Sequence, residues 1–200
     1  MGPEFWVPVI DRLPDYPMVC ANLGFSGTPF KPVTNFPLVI AHSLGLMWAL
    51  INLPRPWAGL VSINGFTRFT RINDFPGFDP NRLARMRSRL CVDMSTVMDD
   101  FLRLCGAESQ KPHQYHKAAL SQGLELLAEW DTRESFSRMD CPVLAIAGTA
   151  DPIVTESHTR ACFSKVPLVM KTGGKHLMPH THANWIAQCI VAMHQDIFVA

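Results

Sequence analysis

Residues 37–53 decide how the fold is read: Pro37-Leu38-Val39-Ile40-Ala41-His42-Ser43-Leu44-Gly45, running on from Leu46 to Leu53. The first half is a short apolar run of strand length. It passes without a turn cluster into a proline-free stretch at 44–53, whose length suits a helix stopped by Pro54. The joint between the two falls at Ser43. Working outward, Ala58–Asn64, Pro142–Gly148 and Val166–Thr172 repeat the strand signal, and the first two end at a glycine. Upstream, Met18–Asn22 reads as a further strand, followed by the loop Asn22-Leu23-Gly24-Phe25-Ser26-Gly27. Continuous apolar runs of this kind suit parallel strands buried on both faces.

Between Phe78 and Arg138 the pattern changes. Asn81–Arg89, Val92–Leu104 and Pro112–Trp130 lack strand runs and place apolar residues at helical spacing, as in Val97, Phe101 and Leu104 or Leu120, Leu124 and Leu127. The expected organisation is therefore α/β: a first core part at 1–75, a helical cap inserted at 76–138, and a second core part at 139–200. The turn-rich block from Asp74 to Pro80 is the entrance to the insertion, and a helix over Ala183–Gln195 closes the chain.

Composition narrows the function classes. A chain of 200 residues, 48% hydrophobic and 18% charged, can bury roughly 70% of its unfolded surface in one core. A formal net charge of +1 without blocks of like charge gives no footprint for nucleic acid or an anionic membrane. The apolar stretches are far shorter than the ~20 residues of a membrane span. The first residues show neither the basic region nor the apolar run of a signal peptide, so a cytoplasmic location is expected. Six cysteines without a Cys-x-x-Cys pair read as reduced, small hydrophobes.

A strand entering a helix through Ala41-His42-Ser43-Leu44-Gly45 is the setting of a nucleophile elbow, in which a tight turn lifts the serine hydroxyl above the sheet. Ala41 stands where Gly-x-Ser-x-Gly has its first glycine. Alone, the segment fits a core serine capping a helix equally well. An acid and then a histidine downstream complete a triad in the order Ser, Asp, His. Asp151 follows the strand at Pro142–Gly148, and His176 sits in Gly173-Gly174-Lys175-His176-Leu177. Of the rival acids, Glu156 lies nearby, whereas Asp140 precedes its strand, at the wrong end of a parallel sheet. His176, His180 and His182 have no acidic or thiol partner at ligand spacing, so no metal site is expected. His42, Trp48, Phe66 and Phe101 are candidate linings of a substrate pocket, with Phe69, Phe75, Phe78 and Trp130 as further aromatics there or in the core.

These residues resemble the α/β-hydrolases, and within them the pimeloyl-[acyl-carrier protein] methyl ester esterases of biotin synthesis. The likeness is carried by Asn22–Gly27, Ser43-Leu44-Gly45, Phe75–Pro80, and Gly123-Leu124-Glu125-Leu126-Leu127 with Asp131. The resemblance implies an α/β-hydrolase fold with a helical cap and hydrolysis of a carboxylic ester on an acyl chain, without a cofactor. It implies Ser43, Asp151 and His176 as the triad and Leu44 N–H as one of two oxyanion donors. The partners implied are a small acyl-ester substrate and an acyl-carrier protein.

Two departures from the family pattern stand out. Met94–Leu104 carries Thr96 and Asp100 where carrier-binding arginines are expected, leaving Arg82, Arg85, Arg87, Arg89 and Arg103 as a displaced basic face. The strands and the His-Gly-Trp oxyanion loop that precede the helix matched by Trp6–Leu13 have no counterpart. A misplaced start at Met1, or a fragment, is the expectation that follows. Loss of one oxyanion donor costs ~3–4 kcal/mol of transition-state stabilisation. The alternatives are a catalytically weak carrier- or protein-binding member of the fold and a general short-chain esterase.

Overall fold

The computed structural model describes residues 2–107 and 114–199. Its sheet has four strands, β1 (Leu38–His42), β2 (Gly59–Ile63), β3 (Val143–Gly148) and β4 (Leu168–Lys171), paired in chain order and all parallel. Parallel neighbours need crossover connections, and helices supply them. After a 3₁₀ turn at Pro3–Trp6 come α1 (Val7–Ile10) and, between β1 and β2, α2 (Leu44–Asn52). Between β2 and β3 lie α3 (Pro80–Val92), α4 (Met94–Leu104), α5 (Lys117–Glu129) and α6 (Arg133–Ser137). Then follow α7 (Glu156–Cys162), α8 (Met178–Thr181) and α9 (Ala183–Phe198).

The strands alternate their faces, which splits the core in two. Val39 and Ala41 of β1, Leu60 of β2, and Val143 and Ala145 of β3 join the cluster shared with α2 and the helical insert. Val61, Ile63 and Ile146 join the other cluster, under α9, with Ile186, Ile190 and Met193. All five residues of β2 are buried, as a strand with a neighbour on each side and helices on both faces should be.

Local chemistry sets the ends of the insert helices. Asp79 caps α3 by accepting from Asn81 N–H at 3.0 Å, with Pro80 at the first helical position, and Asp93 caps α4 through Thr96 N–H at 3.0 Å. The insert is stitched back where it leaves: Thr132 donates both N–H and Oγ1 to Thr67 O, at 2.8 and 2.7 Å. Asp131 pairs with Arg68 and Arg133 beside that seam. Gly123 of α5 lies against the Phe25 ring, whose Cε1 would be 2.7 Å from any Cβ there. That close approach, with His116 N–H on Phe25 O at 2.9 Å, ties the Asn22–Gly27 turn to the insert.

The expected strand at Met18–Asn22 does not form. Only an isolated antiparallel bridge, Asn22 with Phe30, is present, and Val19 is exposed. A strand needs a partner edge, and this segment, between Pro17 and the Asn22–Gly27 turns, folds on its own loop instead. The helix expected over Trp6–Leu13 is shorter, a 3₁₀ turn continued by α1. The helix expected from Pro112 begins at Lys117; Pro112 and His113, like Met1, lie outside the described residues. Among the described residues, no helix is long and apolar enough to cross a membrane.

Candidate active site

Ser43 sits where β1 turns sharply into α2, at φ 54° and ψ −129°. A non-glycine residue at positive φ is strained, and the turn is held because Ser43 N–H still donates to Ile63 O of β2 at 3.1 Å. Leu44 is the first residue of α2, so its N–H has no intrahelical acceptor and carries the positive end of the helix dipole. A Cβ on Gly45, two residues after the serine, would meet nothing within 4 Å among the described residues, whereas Ala41, two residues before it on β1, is buried in the core.

The loops after β3 and β4 bring the acid and the base to this turn. Gly148, at the end of β3, lies so close to Gly174 O that a Cβ on it would sit 2.1 Å away, and Gly173 takes φ 72°. These glycines let the two loops touch, and Ala150 N–H donates to Gly174 O at 3.0 Å. His176 Nε2 is then 3.0 Å from Ser43 Oγ, and its Nδ1 is 2.7 Å from Asp151 Oδ2. His176 is 1% exposed and Asp151 5%. The other carboxylate oxygen of Asp151 accepts from Ile153 N–H at 2.8 Å and Val154 N–H at 3.0 Å. Burial pushes the Asp151 carboxyl up, but the His176 hydrogen bond and charge and the two backbone donors outweigh it and hold it below the ordinary carboxylate range. The carboxylate is thus charged and oriented to accept the Nδ1–H of His176, whose Nε2 faces the serine.

Two residues at strand ends extend this network. His42, beside the serine, reaches the base loop: Nε2–H donates to His176 O at 2.8 Å, and the ring packs 4.8 Å from that of Phe5. Withdrawal from water, followed by the facing charge of His176, pushes the His42 imidazole down to about 3, so it stays neutral. Asn64, just past β2, was not singled out in the sequence. Its side chain donates to Asp151 Oδ2 at 2.6 Å and to Lys175 O at 3.0 Å. Its position after a strand, one residue before a glycine, was the available signal.

A cavity of about 1330 Å³ opens over Ser43 and His176 and runs along the outer side of β1. The insert supplies its roof through Leu83, Met86, Phe101, Leu104, Leu120 and Leu124. His42, Trp48 and Phe101 line it, as do Phe69 and Phe78. Phe66 does not: it is fully buried in the core, its ring 4.8 Å from Phe69 and stacked near His158. Phe75 and Trp130 likewise pack against the core and are not part of the cavity wall. Among the rivals, Glu156 pairs with Arg160 one helical turn away, and His182 bonds Thr181. No group of three His, Cys, Asp or Glu among the described residues could hold a metal ion. Arg82, Arg85, Arg89 and Arg103 also border the cavity; Arg89 and Arg103 pair with Asp100, and Arg87 pairs with Glu125.

No protein-family profile matches the chain. Among curated proteins it is 25% identical to a pimeloyl-[acyl-carrier protein] methyl ester esterase of Legionella pneumophila (strain Corby), covering 81% of this chain and 76% of that one. The enzyme of that name from Yersinia enterocolitica is 28% identical over 76% of this chain and 66% of its own length. Among solved structures, an esterase from Exiguobacterium antarcticum superposes with a TM-score of 0.80 at 12% identity, covering 96% of this chain and 87% of that one. A bromoperoxidase from Bacillus anthracis gives 0.76 at 12% identity, covering 98% and 88%. With its parallel sheet, its serine turn and these neighbours, the chain is an α/β-hydrolase by fold, and in sequence it is similar to the pimeloyl-[acyl-carrier protein] methyl ester esterases.

Proposed function

We propose that this chain is a serine carboxylesterase acting on an ester borne by an apolar acyl chain, with Ser43 as nucleophile, His176 as general base and Asp151 as its acid partner. The observation that carries the reading is the continuous hydrogen-bond chain from Ser43 Oγ through both His176 nitrogens to Asp151, opening at the serine into the apolar cavity. His176 Nε2 takes the serine proton as Oγ attacks the ester carbonyl. Asp151 stabilises the imidazolium, and the proton then passes to the leaving alcohol. Leu44 N–H, at the start of α2, faces the charge that develops on the carbonyl oxygen. Water, activated by the same histidine, releases the acid and restores Ser43.

The finer substrate we propose is the methyl ester of a pimeloyl chain on an acyl-carrier protein, by similarity to the relatives of that name. The arginines at the cavity border would meet the carrier's phosphate and acidic surface. One observation favours a second reading, an esterase of free acyl esters: three insert arginines are engaged by Asp100 and Glu125. Titration with a serine-directed fluorophosphonate, followed by a p-nitrophenyl ester series, tests the esterase. An adduct on Ser43 that is absent in Ser43→Ala and His176→Ala supports it, and no adduct at millimolar reagent overturns it. Carrier-bound and free methyl esters, compared directly, separate the two substrates.

A further inference from the structure

Asn64 occupies a place that a residue serving only stability would fill badly. It follows β2 at φ 46°, a left-handed conformation that asparagine tolerates better than most residues but still at a cost, and it is fully buried. Its Oδ1 accepts no hydrogen bond from the described residues. Burial of an acceptor in that condition is unfavourable. Its Nδ2, by contrast, is fully used: one hydrogen goes to Asp151 Oδ2 at 2.6 Å and the other to Lys175 O at 3.0 Å, with His176 O at 3.4 Å. The orientation of the amide follows from chemistry, since turning it over would set Oδ1 against a carboxylate and two carbonyls.

The oxygen that Asn64 holds is the same Asp151 Oδ2 that accepts from His176 Nδ1 at 2.7 Å. Asn64 itself is anchored to the sheet, its N–H donating to Ile146 O of β3 at 2.8 Å. One buried amide therefore links the rigid centre of the sheet to the acid loop and to the base loop at once. We propose that Asn64 is a positioning residue, which fixes the Asp151 carboxylate and the backbone at His176 in mutual register so that Nε2 meets Ser43. The proposal rests on the Ser43, His176 and Asp151 reading and adds a fourth member to it. Asn64 acts through Asp151 and His176, without touching the reacting atoms.

One variant with two readouts tests it. Asn64→Gly removes the amide while suiting the positive φ, so the backbone is relieved rather than strained. Its kcat for a p-nitrophenyl ester is expected to fall ~10–100-fold, the loss of a charge-assisted hydrogen bond, with KM within about twofold of the parent. In Asn64→Gly the downfield Nδ1 proton shared by His176 and Asp151 is expected to broaden or vanish. Retention of kcat within threefold in Asn64→Gly overturns the proposal, as does an undisturbed Nδ1 proton signal in that variant. The NMR readout needs no turnover. A parent protein inert to phosphonate would therefore sink the esterase while leaving the role of Asn64 decided by it.

Discussion

The two walls of the cavity are built on different principles. The floor rests on strand ends: Ser43 after β1 and His176 after β4 line it, and Asn64 after β2 and Asp151 after β3 stand behind them, joined by hydrogen bonds of 2.6 to 3.0 Å. The roof is made of helix faces: Phe101 and Leu104 from α4, Leu120 and Leu124 from α5, with ion pairs such as Arg103 with Asp100 at the cavity border. Each floor atom has an assigned partner at a defined distance, so small displacements matter there. The roof offers area without direction. Chemistry that needs angstrom-level geometry is placed on the rigid sheet, and selectivity for chain length is left to surfaces that can differ without disturbing it.

The sharpest way to test that division is at the floor. Ser43→Ala and His176→Ala are each expected to lower kcat by ~10⁴-fold or more, measured with a p-nitrophenyl ester, and to leave the melting temperature within a few degrees. Asp151→Asn keeps the shape but offers the imidazole the wrong partner. A fall of ~10³–10⁴-fold in kcat is expected, and KM should stay put. The roof should respond differently: Phe101→Ala and Leu120→Ala are expected to cut kcat/KM for an octanoyl ester ~10-fold while changing the acetyl ester less than threefold. Equal losses on both esters would erase the distinction between the walls.

The smallest effect concerns His42, which touches both worlds, lining the cavity and holding the base loop. Its imidazole is pushed down to about 3 in the folded protein, against about 6.5 when unfolded. As pH falls from about 6.5 towards 3, the unfolded chain binds a proton that the folded chain refuses, so stability declines through that window. Replacing the residue, in His42→Phe, should flatten the dependence of unfolding free energy on pH by close to one proton. Urea melts at a series of pH values measure this slope. An unchanged slope would mean that the ring gains its proton without unfolding.

Strand and helix were legible wherever the pattern is local. Leu38–His42 and Leu44–Asn52 follow from a short apolar run, a proline-free run and Pro54, and the four-strand sheet from four such runs. Met18–Asn22 carries the same composition and fails, because a strand exists only with a partner and composition does not supply one. Phe66 was a reasonable pocket aromatic by type. Its burial against Phe69 and His158 depends on how residues 65–70 turn over α7, which no local rule specifies. His42 was read as a lining residue, and it does line the cavity; its bond to His176 O joins residues 134 apart in sequence.

The sequence by itself determined the order of elements and the candidates for chemistry, because Ser, Asp and His each follow an apolar run, and strand ends in a parallel sheet all face one edge. Only the tertiary structure decided that the three meet within hydrogen-bond distance, and that Asn64 and His42 hold the loops on which they sit. The physical reason is range. Hydrophobic periodicity and turn chemistry act over a few residues, whereas the bond from Asn64 to Asp151 spans 87 positions and exists only once β2 and β3 lie side by side.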